Sequence, residues 1–562
     1  MGVALREKRL YKALCLLLMI IISLQGCGFA ELEDKEIADG SGIFESVDAY
    51  EIEKLKKQQQ EIAQKKLDEL YRKERYADPE EKGIHRECLT AIEDIINSDI
   101  EYGFTSASLC VVKGGKIVYE NAFGKVNTYN TDGSINENSK DTTTDTLFDL
   151  ASVTKMVVTN YALQKLYDEG RIDLDEKICS YLGDGFYEDV LDFSYAKGEE
   201  VSVETQKKWK SELTIKDLLI HQGGFPADPR YFNPNVDAAL QEYKPEYTNV
   251  LYSGNSADEK TKKATIEAIG KTPLLYEPGT KTLYSDVDYM VLGTIVEAVT
   301  GKDLDSYAKE TFFEPMGLKH ITFNPLKNGF DKDDCASTEL NGNTRDGNVY
   351  FDGIRDYTLR GEVHDEKAYY CMGGVSGHAG LFSNASDLAL LGSLMLDGTY
   401  KGVKYFSKET IDYFTAPKSK EMQNWGLGWW RQGEMERVKY FGSRCSVNTF
   451  GHQGWTGTLL MIDPDRDIVI AYLTNKISSP VTSKKAVNKF NGNYYTAASL
   501  GFVPEIIYMG MDNKDADVKA EIIKYMNELD KNAHDSIRAK AGSDHPSVLN
   551  AKSTDALLEK YN

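Results

Sequence analysis

The sequence lacks an excess of basic charge. Its 562 residues include 66 lysines and arginines against 88 aspartates and glutamates, which gives a formal net charge of -22. A protein that binds nucleic acid needs a basic face to neutralise phosphates, so this composition argues against a nucleic-acid partner. Apolar residues make up 41% of the chain, which is enough for a sizeable core.

Several short motifs are also missing, and each absence removes a class of site. The eight cysteines include no Cys-x-x-Cys pair, so a zinc ribbon or a redox motif is unsupported. The patterns of zinc proteases and of α/β-hydrolases, His-Glu-x-x-His and Gly-x-Ser-x-Gly, do not occur. His364, Asp365 and His378 could mimic a metal group, but we interpret them as hydrogen-bonding residues at the rim of a site.

The N-terminal residues resemble an export signal. Basic residues precede an apolar run at residues 13–24, and this run is too short to span a bilayer. It ends in LQGC, which resembles the bacterial lipobox, where the cysteine is diacylated. The sequence therefore predicts a lipoprotein signal at residues 1–26 and lipid on Cys27, which gives an extracytoplasmic, membrane-anchored bacterial lipoprotein. A plain signal peptide or a short membrane anchor is the alternative.

The rest of the chain divides into three segments by composition. Residues 27–82 are dominated by charge and carry apolar residues on a weak helical period, which predicts a partly helical tether or a disordered linker. Residues 83–512 are predicted to form the folded domain. Residues 513–562 are polar and rich in helix-favouring residues, and they predict a helical C-terminal extension.

Two hairpin patterns mark the ends of the folded domain. β-rich runs flank Gly114 and Gly115, and GTLLMIDPDRDIVIAYLTN predicts a second hairpin with its turn at residues 463–467. The pattern between them is mainly helical. We therefore predict an α/β (α+β) fold, with an antiparallel sheet built from both ends of the domain, flanking helices and an inserted, mostly helical lobe.

Ser-x-x-Lys, a pattern of nucleophile and base, occurs at Ser152, Ser194 and Ser306. In a helix that starts at Ser152, the hydroxyl and the Lys155 amine lie on one face within hydrogen-bond reach. The helix N-terminus favours an oxyanion, and the apolar residues behind Lys155 predict a lowered lysine pKa. The other two copies have structural explanations. Ser152 and Lys155 are therefore the candidate pair, with a helix cap as the alternative role for Ser152.

Residues 146–155, TLFDLASVTK, resemble the nucleophile motif of the penicillin-recognising serine hydrolases, the class C β-lactamase and D-Ala-D-Ala carboxypeptidase superfamily. Residues 284–286, YSD, match its Tyr-x-Asn motif with aspartate in place of asparagine. Residues 452–454, HQG, match its Lys-Thr-Gly or His-Thr-Gly motif. Longer segments, such as GEVHDEKAYYCMGGVSGHAGLFSN, are similar to the penicillin-binding protein 4B branch. The resemblance covers about residues 83–505 and implies a β-lactamase/transpeptidase-like fold.

The resemblance also implies catalytic roles. Ser152 is the acylated nucleophile, and Lys155 accepts its proton. Tyr284 passes the proton to the leaving amine. His452 stands where a cation meets the substrate carboxylate, and a histidine is charged only in part near neutral pH.

Further residues are implied to contact the substrate. Backbone N–H groups of Ser152 and Trp455 would form the oxyanion hole. Asp286, Gln453 and Gly454 would line the substrate site, and Asp286 adds a negative charge near the lysine. The family needs no metal and no cofactor.

The implied function is a serine-type D-Ala-D-Ala carboxypeptidase that binds penicillin and hydrolyses peptidoglycan stem peptides through an acyl-enzyme. One alternative is a β-lactamase or small-ester hydrolase, because this fold hosts all three activities. Another is a cell-wall-binding or penicillin-sensing lipoprotein without turnover, which the departures at Asp286 and Gln453 leave open.

Overall fold

The computed structural model describes residues 74–420, 422–513, 515–538 and 541–561. The predicted signal, Cys27 and most of the predicted tether lie outside these residues. Within the described ranges, no helix is both long and apolar enough to cross a membrane.

A six-stranded antiparallel sheet forms the centre of the fold. Its strands, numbered along the chain, are β1 (Ser106–Lys113), β2 (Lys116–Gly124), β3 (Trp430–Arg431), β4 (Phe450–Gly454), β5 (Thr458–Asp463) and β6 (Ile468–Thr474). Their spatial order is β3-β4-β5-β6-β1-β2. Strands β1 and β2 form the first predicted hairpin, and β5 and β6 form the second. The pairing of β6 with β1 confirms the predicted sheet, which both ends of the domain build.

Both faces of the sheet are covered. All seven residues of β6 are buried, and they alternate between two cores because successive side chains of a strand point to opposite faces. Val469, Ala471 and Leu473 pack into the larger core with the helical lobe. Ile470 and Tyr472 pack into a second core with helices from both ends of the chain.

Those terminal helices are Arg86–Glu101, Phe502–Asp512, Asp515–Asp535 and Pro546–Tyr561. The helices between the hairpins are Tyr161–Asp168, Cys179–Leu182, Gly185–Glu188, Val203–Glu212, Ile215–Leu219, Glu259–Lys271, Asp286–Thr300, Leu304–Ala308, Glu314–Met316, Ala385–Gly392, Leu394–Asp397, Lys408–Thr415 and Val438–Phe441. Short strands occur at Phe148–Asp149, Val236–Asp237, Glu242–Tyr243, Ile321–Phe323, Ser337–Glu339, Leu359–Arg360, Leu381–Ser383, Thr399–Tyr400 and Val403–Lys404. Three π-helical segments are Lys155–Asn160, Lys309–Phe313 and Lys367–Cys371.

The last two helices pack on the first one. Ser553 donates a hydrogen bond to the buried Asp99 carboxylate at 2.7 Å, and Lys560 forms an ion pair with Asp94 at 2.7 Å. Ile522 and Leu557 are buried in the same core as the helix Arg86–Glu101. The C-terminal residues therefore belong to the packed structure that supports the sheet.

Candidate active site

A strained turn presents Ser152. The residue before it, Ala151, has φ of +46°, a left-handed conformation that a residue with a side chain rarely adopts. Asp149 holds the turn, because its carboxylate accepts hydrogen bonds from the backbone N–H of Ala151 at 2.8 Å and of His364 at 2.7 Å. Ser152 lines a cavity, which we call the catalytic cavity.

The end of β4 lies against this turn. A Cβ atom on Gly454 would lie 2.3 Å from the carbonyl oxygen of Leu150, so only glycine allows this close approach. The hydroxyl of Thr456 donates a hydrogen bond to the carbonyl oxygen of Asp149 at 2.7 Å. These two contacts place the segment that contains Trp455 beside the nucleophile, as the predicted oxyanion hole requires.

Lys155 connects three parts of the site. Its Nζ donates hydrogen bonds to Ser152 Oγ at 2.9 Å, to Asp286 Oδ1 at 2.8 Å and to the carbonyl oxygen of His378 at 3.0 Å. The Tyr284 hydroxyl interacts with both Ser152 and Lys155. The structure therefore brings together the predicted nucleophile, lysine, tyrosine and aspartate. The hydroxyl of Ser152 accepts its hydrogen bond from this lysine rather than from a backbone N–H of the helix.

The predicted lowering of the Lys155 pKa is wrong. Burial alone would lower the pKa of Lys155, but the negative charge of Asp286 and hydrogen bonding with Asp286 and Tyr284 raise it above the ordinary value. Lys155 is thus an ammonium in the resting site, and its three acceptors match the three protons of that group.

Tyr284 is a neutral phenol. Burial raises its pKa, although the positive charge of Lys155 opposes that shift. Its ring lies between two buried imidazoles, with centroid distances of 4.3 Å to His221 and 6.0 Å to His452. This packing fixes the phenol oxygen beside the nucleophile.

A second buried lysine, which the sequence analysis missed, holds Asp286 from the other side. Lys367 Nζ lies 3.2 Å from Asp286 Oδ2 and 3.6 Å from Asp365 Oδ2, and it donates a hydrogen bond to Asp228. Burial would raise the pKa of Asp286, but the charges of Lys155 and Lys367 hold it well below its usual range. The sequence feature that could have identified Lys367 is the run of charged residues HDEK, which lies within a segment of family resemblance.

The histidines flagged in the sequence make hydrogen bonds, as interpreted. His378 Nε2 contacts Asp365 Oδ1 at 2.8 Å, and its Nδ1 contacts Ser376 Oγ at 2.7 Å. His364 Nε2 contacts Glu339 Oε2 at 2.7 Å. Polar atoms of Asp286, Asp365 and His378 lie within 4.8 Å of one another, close enough for a metal ion. The cationic group that both of these aspartates contact is the Lys367 ammonium.

The predicted role of His452 as a partly charged residue is wrong. Its side chain is 1% exposed, and its ring stacks on Trp430 at a centroid distance of 4.6 Å. Burial and the charge of Lys155 lower the pKa of His452 to about 3, so the imidazole is neutral. Its Nδ1 donates a hydrogen bond to the carbonyl oxygen of Gln453 at 2.7 Å. His452 therefore packs against the ring of Tyr284 and offers no positive charge to a substrate carboxylate.

The catalytic cavity has a volume of about 350 Å³. Of the predicted residues, Ser152, Tyr284, Asp286, Gln453 and Trp455 line it. Residues that line it and that the sequence analysis did not propose are Asp228, Arg345, Glu366, Lys367, Trp430 and Asn488.

Residues 80–489 match the family model described as Beta-lactamase. The chain belongs to the β-lactamase family. This β-lactamase-family protein is 44% identical over 439 residues to an Escherichia coli K12 protein named "Putative D-alanyl-D-alanine carboxypeptidase", which covers 78% of this chain and 93% of the relative. A protein of the same name from Salmonella agona is 43% identical over 435 residues, which cover 77% of this chain and 93% of that relative.

Two solved structures share the fold. The simvastatin synthase of Aspergillus terreus superposes with a TM-score of 0.54 at 18% identity, and covers 76% of this chain and 99% of its own. EstCE1, a hydrolase with promiscuous acyltransferase activity, gives a TM-score of 0.51 at 18% identity with the same coverage of 76% and 99%. The predicted family and fold are confirmed, and this β-lactamase-family protein is a serine hydrolase.

Replacing Lys367 tests the charge network. Lys367→Met would remove the buried cation that Asp286 and Asp365 share and leave them only Lys155 and His378 as partners. Because one buried negative charge is then uncompensated, we expect a loss of about 3–5 kcal/mol in the free energy of unfolding at pH 7. Folding lowers the pKa of both carboxyls, so their contribution is present above the unfolded pKa near about 4 and is lost as the pH falls. The loss should therefore shrink only as the pH falls below about 4, toward the lowered pKa of the folded carboxyls. Urea unfolding at pH 7 and at about pH 3 measures it.

The matched control is Lys408→Met, which breaks an exposed ion pair with Asp412. We expect this variant to change the free energy of unfolding by less than about 1 kcal/mol. Equal effects of the two substitutions would contradict the network.

Proposed function

We propose that this β-lactamase-family hydrolase is a serine-type D-Ala-D-Ala carboxypeptidase that works through an acyl-enzyme. The observation that carries the proposal is the 2.9 Å hydrogen bond between Ser152 Oγ and Lys155 Nζ, beside Tyr284 and on the wall of an open cavity. The names of the two relatives support a peptidoglycan stem peptide ending in D-Ala-D-Ala as the substrate.

In the proposed reaction, Ser152 Oγ attacks the carbonyl carbon of the penultimate D-Ala, and the hydroxyl proton passes to a neutral Lys155. Backbone N–H groups of Ser152 and Trp455 hold the oxyanion. The C–N bond then breaks, and the leaving D-Ala nitrogen receives a proton through Tyr284. Water hydrolyses the resulting ester. Because Lys155 is an ammonium at rest, acylation first requires that it lose a proton.

Ser152→Ala tests the nucleophile. We expect wild-type protein to be labelled covalently by a fluorescent penicillin and to release D-Ala from a model pentapeptide, and we expect the variant to do neither. Ser306→Ala, in another Ser-x-x-Lys copy, is the matched control and should keep both activities. Equal labelling of the Ser152 variant and the wild type, or no labelling of either, would overturn the mechanism.

Turnover of other substrates by the wild-type protein separates the alternative activities. Fast turnover of nitrocefin without D-Ala release would favour a β-lactamase, and turnover of p-nitrophenyl esters alone would favour an esterase. A stable penicillin label without turnover of any substrate would favour a sensor.

Asp286→Asn tests the control of Lys155 ionisation. Asp286 raises the pKa of Lys155 in the wild type, so removing its charge should lower that pKa and move the acidic limb of the acylation rate to lower pH. The pH dependence of penicillin acylation measures the shift. Asp286→Glu keeps the charge and should keep the wild-type limb. A limb that stays in place, or moves to higher pH, in the asparagine variant would contradict this assignment.

We also propose that lipid on Cys27 anchors the protein to a membrane, which the LQGC sequence supports. Cys27→Ser should abolish metabolic labelling with a palmitate analogue and release the protein from the membrane fraction. Cys15→Ser, within the predicted signal, should change neither. Undiminished labelling of the Cys27 variant would refute the attachment site.

A further inference from the structure

A second cavity adjoins the catalytic one. It has a volume of about 460 Å³ and shares Gln453, Trp455 and Asn488 with the catalytic cavity. Its wall carries four basic side chains from separate parts of the chain, and we call it the basic groove. The four are Lys439, Lys476, Lys489 and Arg538.

In the part of the chain that the structure describes, no carboxylate neutralises the positive charges of the basic groove. No aspartate or glutamate is among the described residues that line it, and none of its four basic side chains forms an ion pair with a described carboxylate. Lys476 donates a hydrogen bond to the carbonyl oxygen of Ala498 at 3.3 Å. The Arg538 guanidinium lies 5.7 Å from the ring centroid of Tyr494. The basic groove thus holds four cations that have no ion-pair partner among the described residues, although the whole sequence has 88 acidic and only 66 basic residues.

This concentration of like charge carries an electrostatic cost. Burial and the nearby charge of Lys439 lower the pKa of Lys476 to about 8. A bound anion would relieve that cost, because an opposite charge stabilises the ammonium form.

The catalytic cavity offers no comparable charge. Lys155 and Lys367 are both engaged with Asp286, and Arg345 forms an ion pair with Glu366 at 3.1 Å. His452 is neutral and buried. A carboxylate on the substrate therefore meets unpaired positive charge in the basic groove.

An exposed aromatic side chain joins the two cavities. Trp455 is 45% exposed and lines both cavities. A substrate peptide that extends from the nucleophile to the basic groove would therefore pass over the Trp455 ring. Tyr494 lines the groove further on. Aromatic faces of this kind bury apolar parts of a ligand while the cations bind its charged parts.

We propose that the basic groove binds the acyl-donor part of the substrate peptide. The groove would bind carboxylates of this peptide that lie at a distance from the scissile bond. This inference rests on the proposed function and specifies its substrate as an anionic peptide. It also assigns the C-terminal segment a role in substrate binding, because Arg538, which lines the groove, follows the helix Asp515–Asp535.

The test compares two pentapeptides that end in D-Ala-D-Ala and differ only in an internal glutamate or glutamine. We expect wild-type protein to have the higher kcat/KM for D-Ala release from the glutamate peptide. Lys489→Gln combined with Arg538→Gln should lower this preference about five- to tenfold, and 0.5 M salt should lower it in the wild type. Both residues are exposed, so the variant should fold.

The matched control is Lys485→Gln, an exposed lysine in the same loop as Lys489 and outside the lining of the groove. It should keep both the wild-type preference and the wild-type rate of penicillin labelling. Equal kcat/KM values for the two peptides, or an unchanged preference in the double variant, would overturn the groove inference and leave the carboxypeptidase intact. No D-Ala release by the wild type from either peptide would overturn both proposals.

Discussion

The contact between the Lys155 ammonium and the Asp286 carboxylate is the interaction on which the active site depends. Lys155 has no exposed surface, and a buried charge of this kind is tolerated only when it is paired and hydrogen-bonded. Asp286 pairs with it and is held in turn by Lys367, which also contacts Asp365. The result is a row of alternating charges that begins next to Ser152 and runs through Lys155, Asp286, Lys367 and Asp365. Each charged group in this row fixes the position of the next. Buried pairs contribute little net stability, so their value here lies in fixed geometry.

The surrounding elements supply the rigidity that this row needs. Asp286 is the first residue of the helix Asp286–Thr300, where the positive end of the helix dipole favours a carboxylate. Ser285 caps that helix, because its Oγ accepts a hydrogen bond from the backbone N–H of Val287 at 3.2 Å. The end of β4 contacts the strained turn before Ser152 from the other side. Sheet, helix and turn thus meet at the nucleophile.

The sequence predicts those parts of this arrangement that depend on local pattern. Both hairpins follow from period-two runs around short turns, and Ser152 stands out from Ser194 and Ser306 by the motifs that accompany it. The errors concern distances between residues far apart in the chain. The apolar helix behind Lys155 is visible in the sequence, but the 2.8 Å separation from Asp286 that reverses its pKa shift is not. The burial of His452 depends in the same way on packing against Trp430 from another strand.

The pairing of β6 with β1 has a kinetic consequence. Residues as distant as Ala107 and Thr474 are neighbours in the sheet, so β1 has no partner on that side until nearly the whole catalytic domain has been synthesised. Contacts of such long sequence separation close slowly and leave strand edges open for longer. Gly454, at the end of β4, and Thr456, in the turn before β5, are made late and contact the Ser152 turn, so the enzyme should acquire its nucleophile geometry only at the end of folding. We therefore expect a nascent chain of this protein to stay inactive until its sheet is complete.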